Sequence, residues 1–296
     1  MKVTLLQRDI LWADPEGNAR LNAEIMEKTP GTDLVLLPEM FSTGFATSPD
    51  GIAEELDGKG ECFTLRWMMQ KARQLNCAIA GSVAVKDRAG RGLNSGAEQT
   101  KGVRSKAESA GGELLCGDAD GVGCRFFNRL YFVTPENVFS YDKHHLFTYG
   151  GETKRYNAGE EKVIVFWRGV KILLQVCYDV RFPVYVRNTM EEGVPEYDAI
   201  IYVASWPAKR VPTWKKLLPA RAIENQCYVL AVNRVGSDPA CDYIGGTMVI
   251  DAMGNVVDSC PDAEETSISV DLDMDALNRF RKKFPVLEDA DKFYLL

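Results

Sequence analysis

Short apolar runs of strand length alternate along this chain with stretches whose apolar residues recur at helical spacing. Lys2–Gln7 reads as a first strand, and Asp14–Pro15 as an N-cap with proline at the first helical position, opening a helix to about Lys28. Asp33–Leu37 is a short, wholly apolar strand, Phe63–Leu75 a helix and Cys77–Val85 a buried strand. Phe126–Val133 with Val138–Tyr141, Lys162–Trp167 with Val170–Val176, and Gly245–Asp251 with Asn255–Ser259 read as three hairpins. Between and after them the pattern predicts a helix near Val184–Glu192, a strand at Ala199–Ala204, a helix near Trp214–Asn225 and a strand at Tyr228–Val232. A strand at Ser267–Leu272 and a helix at Met274–Lys283 complete the series. Hairpins mixed with strand–helix–strand units imply an α/β fold with mixed sheets, covered by helices on their outer faces.

One segment breaks the pattern. Asp87–Cys124 holds nine glycines and few large apolar residues, a composition that buries too little surface to offset the entropy of ordering. It separates two strands that a short turn would join, so it reads as a flexible insertion within a hairpin of a single domain spanning residues 1–296. It carries no glycine pattern followed by Lys-Ser/Thr, so a phosphate-binding loop is not expected.

Bulk properties exclude several classes of function. The 296 residues carry a formal net charge of −7, which argues against nucleic acid or an anionic membrane as the main partner. The N-terminus, MKVTLLQRDILW, has no apolar signal region, and no apolar run is long enough to span a bilayer. The eight cysteines form no C-x-x-C pair, so reduced thiols and a cytoplasmic location are expected. The only two histidines, His144 and His145, are adjacent, which leaves no set of histidines for a zinc, iron or copper site. No metal or organic cofactor is expected.

Three segments carry candidate chemistry. Cys177 ends a very apolar strand and precedes YDVRFP, a strand-to-helix turn on which a nucleophile would be presented. Taken alone it reads as readily as a core thiol. Glu39 follows LVLLP at the end of another apolar strand, where a carboxylate can serve as a general base or simply cap a turn. Lys143, in YDKHHLF, can stabilise an oxyanion or be a solvated surface lysine. Glu152 is positioned to orient that lysine. A papain-like Cys–His pair with His144 or His145 lacks the local signature around Cys177, and the histidines read as structural.

The blocks LLPEMFSTGF, YDKHHLF and VCYDVRFP resemble the three catalytic blocks of the nitrilase superfamily of carbon–nitrogen hydrolases. The stretch from Val203 to Gly236 resembles the family's block after the nucleophile, and the tail FRKKFPVLEDADKFYLL resembles that of its omega-amidase-like branch. The resemblance covers nearly the whole chain except Asp87–Cys124, which lengthens the usual spacing from Glu39 to Lys143. It implies an α-β-β-α sandwich of two mixed sheets and a catalytic set of Glu39, Lys143 and Cys177, with Glu152 assisting. It further implies attack of Cys177 on an amide, with Lys143 and the Tyr178 backbone N–H holding the oxyanion. The implied substrate is the terminal amide of a small carboxylic acid such as 2-oxoglutaramate. Arg181 would hold the acid bidentately, with Phe45 and Trp206 as apolar walls; an ion pair of Arg181 with Asp179 or Glu196 is the competing reading. A homodimer is the family expectation. Alternatives are an N-carbamoyl or other aliphatic amide hydrolase, and a non-catalytic binding protein on the same fold.

Overall fold

The computed structural model describes residues 1–88, 116–117 and 123–293. Most of the Asp87–Cys124 insertion therefore lies outside the described residues. Its flanking strands, Ala78–Arg88 and Gly123–Val133, pair antiparallel from Ile79↔Val133 to Arg88↔Cys124, the hairpin expected around it.

Two large mixed sheets form the body. In the first, Thr266–Asp271, Lys2–Gln7, Leu34–Leu36, Ala78–Arg88 and Gly123–Val133 lie side by side, and Val138–Asp142 also pairs with Gly123–Val133. In the second, the order is Val256–Ser259, Met248–Ile250, Tyr228–Asn233, Ala199–Ala204, Val170–Val176 and Ile164–Trp167. The pleat sends alternate side chains to opposite faces, and this divides the first sheet between two cores. Val3, Leu5, Leu34, Leu36, Leu130 and Phe132 join the second sheet's Ile172, Leu174 and Ile201 in one cluster between the sheets. Their neighbours Leu6, Val35, Leu37, Ile79 and Tyr131 face Met26, Leu65, Met68 and Ala72 of the helices Pro15–Met26 and Phe63–Leu75. On the far side, Trp214, Leu218 and Ala222 of helix Val211–Asn225 and Leu277 of helix Met274–Lys283 cover the second sheet. The layers run helix, sheet, sheet, helix, as expected.

Local chemistry sets the helix ends. The Asp14 side chain accepts from the Gly17 N–H at 2.9 Å, with Pro15 in the first turn. Asp273 accepts from Ala276 N at 2.8 Å at the start of the last helix. Asn76 and Gln226, both left-handed, close two others.

The helix expected near Val184–Glu192 does not form. Cys177–Arg181 is a single 3₁₀ turn, Pro183 follows it, and Met190–Glu191 pairs with Val194–Pro195 across a turn in which Glu192 and Gly193 both have positive φ. Buried Asn188 explains the difference. Its side chain accepts from Tyr197 N and donates to Tyr197 O and Asn225 O, and its own N–H donates to the Asn225 side chain at 2.8 Å. These bonds satisfy the backbone in an irregular conformation and remove the incentive for helix. The cysteines also depart in part from expectation. Cys62, Cys77, Cys177, Cys227, Cys241 and Cys260 are free, but Cys124 is disulfide-bonded, and strand register sets it opposite Cys116. Among the described residues no helix is long and apolar enough to cross a membrane.

Replacing Asn188 by Ala should lower the unfolding free energy by about 2–4 kcal/mol, because it strands several buried backbone groups. Urea unfolding would read this as a lower midpoint with an unchanged slope; an unchanged midpoint would refute the account of the Val184–Glu192 segment.

Candidate active site

Glu39, Lys143 and Cys177 each stand just past the end of a strand. Beyond Leu34–Leu36 the chain continues alongside Ala78–Arg88 through Leu37 N–H to Ala80 O, then turns sharply after Pro38. Met40 takes φ +46°, and its N–H donates to the Ser82 hydroxyl at 2.9 Å. The turn lies so close to the strand that a Cβ on Gly81 would sit 2.7 Å from the Phe41 ring. Glu39 is thereby fully buried. Lys143 follows Val138–Asp142 and is tied by its N–H to Asn128 O at 3.0 Å. Glu152 opens a 3₁₀ turn after Gly151, and Cys177 begins the turn that leaves Val170–Val176.

These four groups converge. Lys143 Nζ donates to Glu39 Oε1 at 2.9 Å and to Glu152 Oε2 at 2.8 Å. Asn128 Nδ2 donates to Glu39 Oε1 at 2.8 Å and to Glu152 Oε1 at 3.3 Å. Ser205 N–H donates to Glu39 Oε2 at 2.8 Å, and Phe147 N–H to Glu152 Oε2 at 2.6 Å. Cys177 lies near enough to this cluster for the charges of Glu39, Lys143 and Glu152 all to act on its thiol. Lys143 and both carboxylates are at most 1% exposed, while Cys177 keeps 8%.

Burial on its own lowers the Lys143 pKa, but Glu152 and then Glu39 outweigh it and hold the ammonium well above its ordinary value. Burial raises the Glu152 carboxyl, Lys143 opposes that, and the Glu39 charge adds to it. Burial, followed by the negative field of Glu39, pushes the Cys177 thiol well up, against the pull of Lys143. The resting cysteine is therefore a thiol beside a carboxylate able to take its proton. The strand-to-helix turn expected at Cys177 is instead a strand followed by the short 3₁₀ segment Cys177–Arg181.

Cys177 has φ +46°, a conformation that an L-residue holds only when its surroundings over-determine it. Asp179 does so. Its fully buried carboxylate accepts from Val176 N–H at 2.9 Å, Tyr141 O–H at 2.8 Å, His145 N–H at 3.0 Å and His145 Nδ1 at 2.8 Å. His145, two residues after Lys143, is thus bound to the turn that carries Cys177. His145 stacks on Phe182 at 3.7 Å and His144 on Tyr185 at 4.1 Å. The histidines are structural, as expected.

The remaining candidates make aromatic and cation contacts. Phe45 lies with its ring centroid 5.5 Å from Lys143 Nζ. The Tyr178 ring is 5.0 Å from that of Phe147. Trp206 packs on Trp214 at 5.2 Å and carries the Arg181 guanidinium 4.9 Å from its ring centroid. Arg181 is not ion-paired to Asp179 or Glu196: Asp179 is filled as described, and Glu196 accepts from Lys162 and Thr189.

A family model described as carbon–nitrogen hydrolase matches residues 2–282. The chain belongs to the carbon–nitrogen hydrolase family. It is 39% identical to an omega-amidase, YafV, from Escherichia coli (strain K12), over 100% of this chain and 98% of that one. It is 30% identical to a 2-oxoglutaramate amidase from Bacillus subtilis (strain 168), over 98% of this chain and 97% of that one. Among solved structures it resembles XC1258 from Xanthomonas campestris, a CN-hydrolase superfamily protein with an arsenic adduct in its active site, with 36% identity and a TM-score of 0.82. That match covers 100% of this chain and 99% of the other. The chain is an enzyme that hydrolyses carbon–nitrogen bonds other than peptide bonds.

Several groups of this candidate site escaped the sequence reading. Asn128 and Ser205 bind the carboxylates, Asp179 and Tyr141 brace the turn, and Phe147 packs on Tyr178. Asn128 had left a signal: it is a polar residue inside the apolar run Phe126–Val133. The Ser205 contact had none, because a backbone N–H is common to every residue but proline.

Asp179→Asn should cost about 2–4 kcal/mol in urea unfolding, since it leaves a donor of the bracing network without its charged acceptor; a variant of wild-type stability would refute the bracing role. Burial, above all, lowers the His144 pKa below 6.5, so on acidification the unfolded chain takes up a proton that the folded one refuses. Stability should therefore fall with pH from about 6.5 to the folded pKa, and His144→Asn should flatten that part of the curve relative to wild type.

Proposed function

We propose that the chain is an omega-amidase-type enzyme that releases ammonia from the terminal amide of a small carboxylic acid, 2-oxoglutaramate being the first candidate. The observation that carries the reading is the buried meeting of Cys177, Glu39, Lys143 and Glu152. The full-length similarity to an omega-amidase and to a 2-oxoglutaramate amidase supports the choice of substrate.

In the proposed cycle Glu39 removes the thiol proton of Cys177 as sulfur attacks the amide carbon. The oxyanion is held by the Lys143 ammonium and the Tyr178 N–H. Protonated Glu39 delivers its proton to the departing nitrogen, which leaves as ammonia, and a thioester remains on Cys177. Glu39 then takes a proton from water, whose oxygen attacks the thioester, and the acid and thiol are regenerated. Glu152 keeps Lys143 charged and aimed. Arg181, without an ion-pair partner and spread on Trp206, binds the substrate carboxylate, and Phe45 walls the pocket beside Lys143. No step calls for a metal or cofactor. The same reading takes residues 1–296 as one hydrolase domain, in a cytoplasmic homodimer; the family match over residues 2–282 supports the first part.

Ammonia release from 2-oxoglutaramate tests the substrate, and three variants test the roles. Cys177→Ala should be inactive. Glu39→Gln should lose about 10²–10⁴-fold in kcat, and in it Cys177 should be alkylated by iodoacetamide no faster than buried Cys227. Lys143→Met should lose at least about 10²-fold, with circular dichroism confirming the fold. No turnover of 2-oxoglutaramate alongside good turnover of another amide would overturn the substrate assignment; activity in Cys177→Ala would overturn the nucleophile.

A further inference from the structure

The inference concerns Arg210, and it rests on the reading above of an anionic amide substrate. Arg210 ends the 3₁₀ turn Ala208–Arg210, four residues beyond Trp206. Its carbonyl accepts from the Trp206 indole N–H at 2.8 Å, which locks its backbone to the ring that carries Arg181. Its guanidinium lies 5.1 Å from the centroid of Phe147. Phe147 in turn packs against Tyr178, the residue after Cys177, and its N–H binds Glu152. Two guanidiniums thus lie on aromatic rings that are themselves attached to the reacting centre from two sides.

Their bonding sets them apart. Arg129, Arg221, Arg234 and Arg281, each largely buried, are paired with Asp142, Glu224, Asp9 and Asp198 at 2.7–2.8 Å. Among the described residues neither Arg181 nor Arg210 has an acidic partner, although both are partly buried and the chain carries an excess of seven negative charges. A guanidinium partly withdrawn from water, placed over an aromatic ring and left without a carboxylate keeps N–H groups for an acceptor from outside.

We propose that Arg210 is a specificity-determining residue of the substrate pocket, a second cation that acts with Arg181 to select amides whose far end carries a carboxylate. Arg181 stands on the nucleophile's own turn. Arg210 approaches from the segment after Trp206, so an acid group is recognised from two chain segments and neutral amides find no compensation for the desolvated cations. The geometry assigns Arg210 to substrate binding and not to the chemical step.

The test compares wild type with Arg210→Gln and Arg210→Lys on 2-oxoglutaramate and on a neutral aliphatic amide of similar length, with calorimetric binding of the acid product, 2-oxoglutarate. Losing one charge-assisted contact should raise KM for the anionic amide and Kd for 2-oxoglutarate by about tenfold or more. The kcat and all constants for the neutral amide should stay within about twofold, and Lys should recover part of the loss. Equal effects on anionic and neutral substrates, or an Arg210→Gln enzyme that binds 2-oxoglutarate as wild type does, would overturn the inference, as would no product binding to either. Failure of the proposed function shows separately, as wild-type enzyme without turnover of 2-oxoglutaramate, and the product titration still reads Arg210 in that case.

Discussion

A single buried ammonium held between two buried carboxylates is the constraint to which the rest of the structure answers. Lys143 meets Glu39 at 2.9 Å and Glu152 at 2.8 Å, where water has almost no access. Withdrawing three charges from solvent costs far more than one ion pair returns, unless every remaining lone pair is also satisfied. Asn128, Ser205 and Phe147 supply those donors, and they come from a strand of the first sheet, the end of a strand of the second, and a loop. The cluster therefore forms only when both sheets are docked in register. The carboxyl ends of Leu34–Leu36, Val170–Val176 and Ala199–Ala204 deliver Glu39, Cys177 and Ser205 to one place.

Cys177, the proposed nucleophile, depends on a second acid for its position. Cys177 and Met40, the latter beside Glu39, both hold positive φ without being glycine. Such strain persists only where hydrogen bonds hold the backbone in place. Ser82 does this for the Glu39 turn and Asp179 for the Cys177 turn. Asp179 also ties His145 and Tyr141 to that turn, so the segment bearing the lysine and the segment bearing the thiol move together. The two histidines, which in another enzyme would be the first suspects for catalysis, here stack on Phe182 and Tyr185 as part of this brace.

Charge is also sorted by depth. The overall surface is acidic, and the innermost cluster has one more carboxylate than ammonium. Between the two lie Arg181 and Arg210 on aromatic rings, at a depth where a guanidinium is partly desolvated but still reachable. In the proposed reading these two cations attract a substrate acid and so discriminate against neutral competitors.

The pattern of apolar residues was enough to place most strands and helices, because strand and helix periods follow from local geometry alone. Asp14, Asn76 and Asp273 mark helix ends in the sequence for the same reason. Glu39, Lys143 and Cys177 each had an ordinary reading when taken alone, and were legible as a set only because their three blocks resemble those of one family. The Val184–Glu192 segment was misread because Asn188 draws its conformation from Tyr197 and Asn225, partners that periodicity does not register. Asn128, Ser205, Asp179 and Arg210 gained meaning only in three dimensions. Their roles rest on which distant group lies within hydrogen-bonding or stacking distance, and that is settled by how the two sheets pack, not by any residue's own neighbours along the chain.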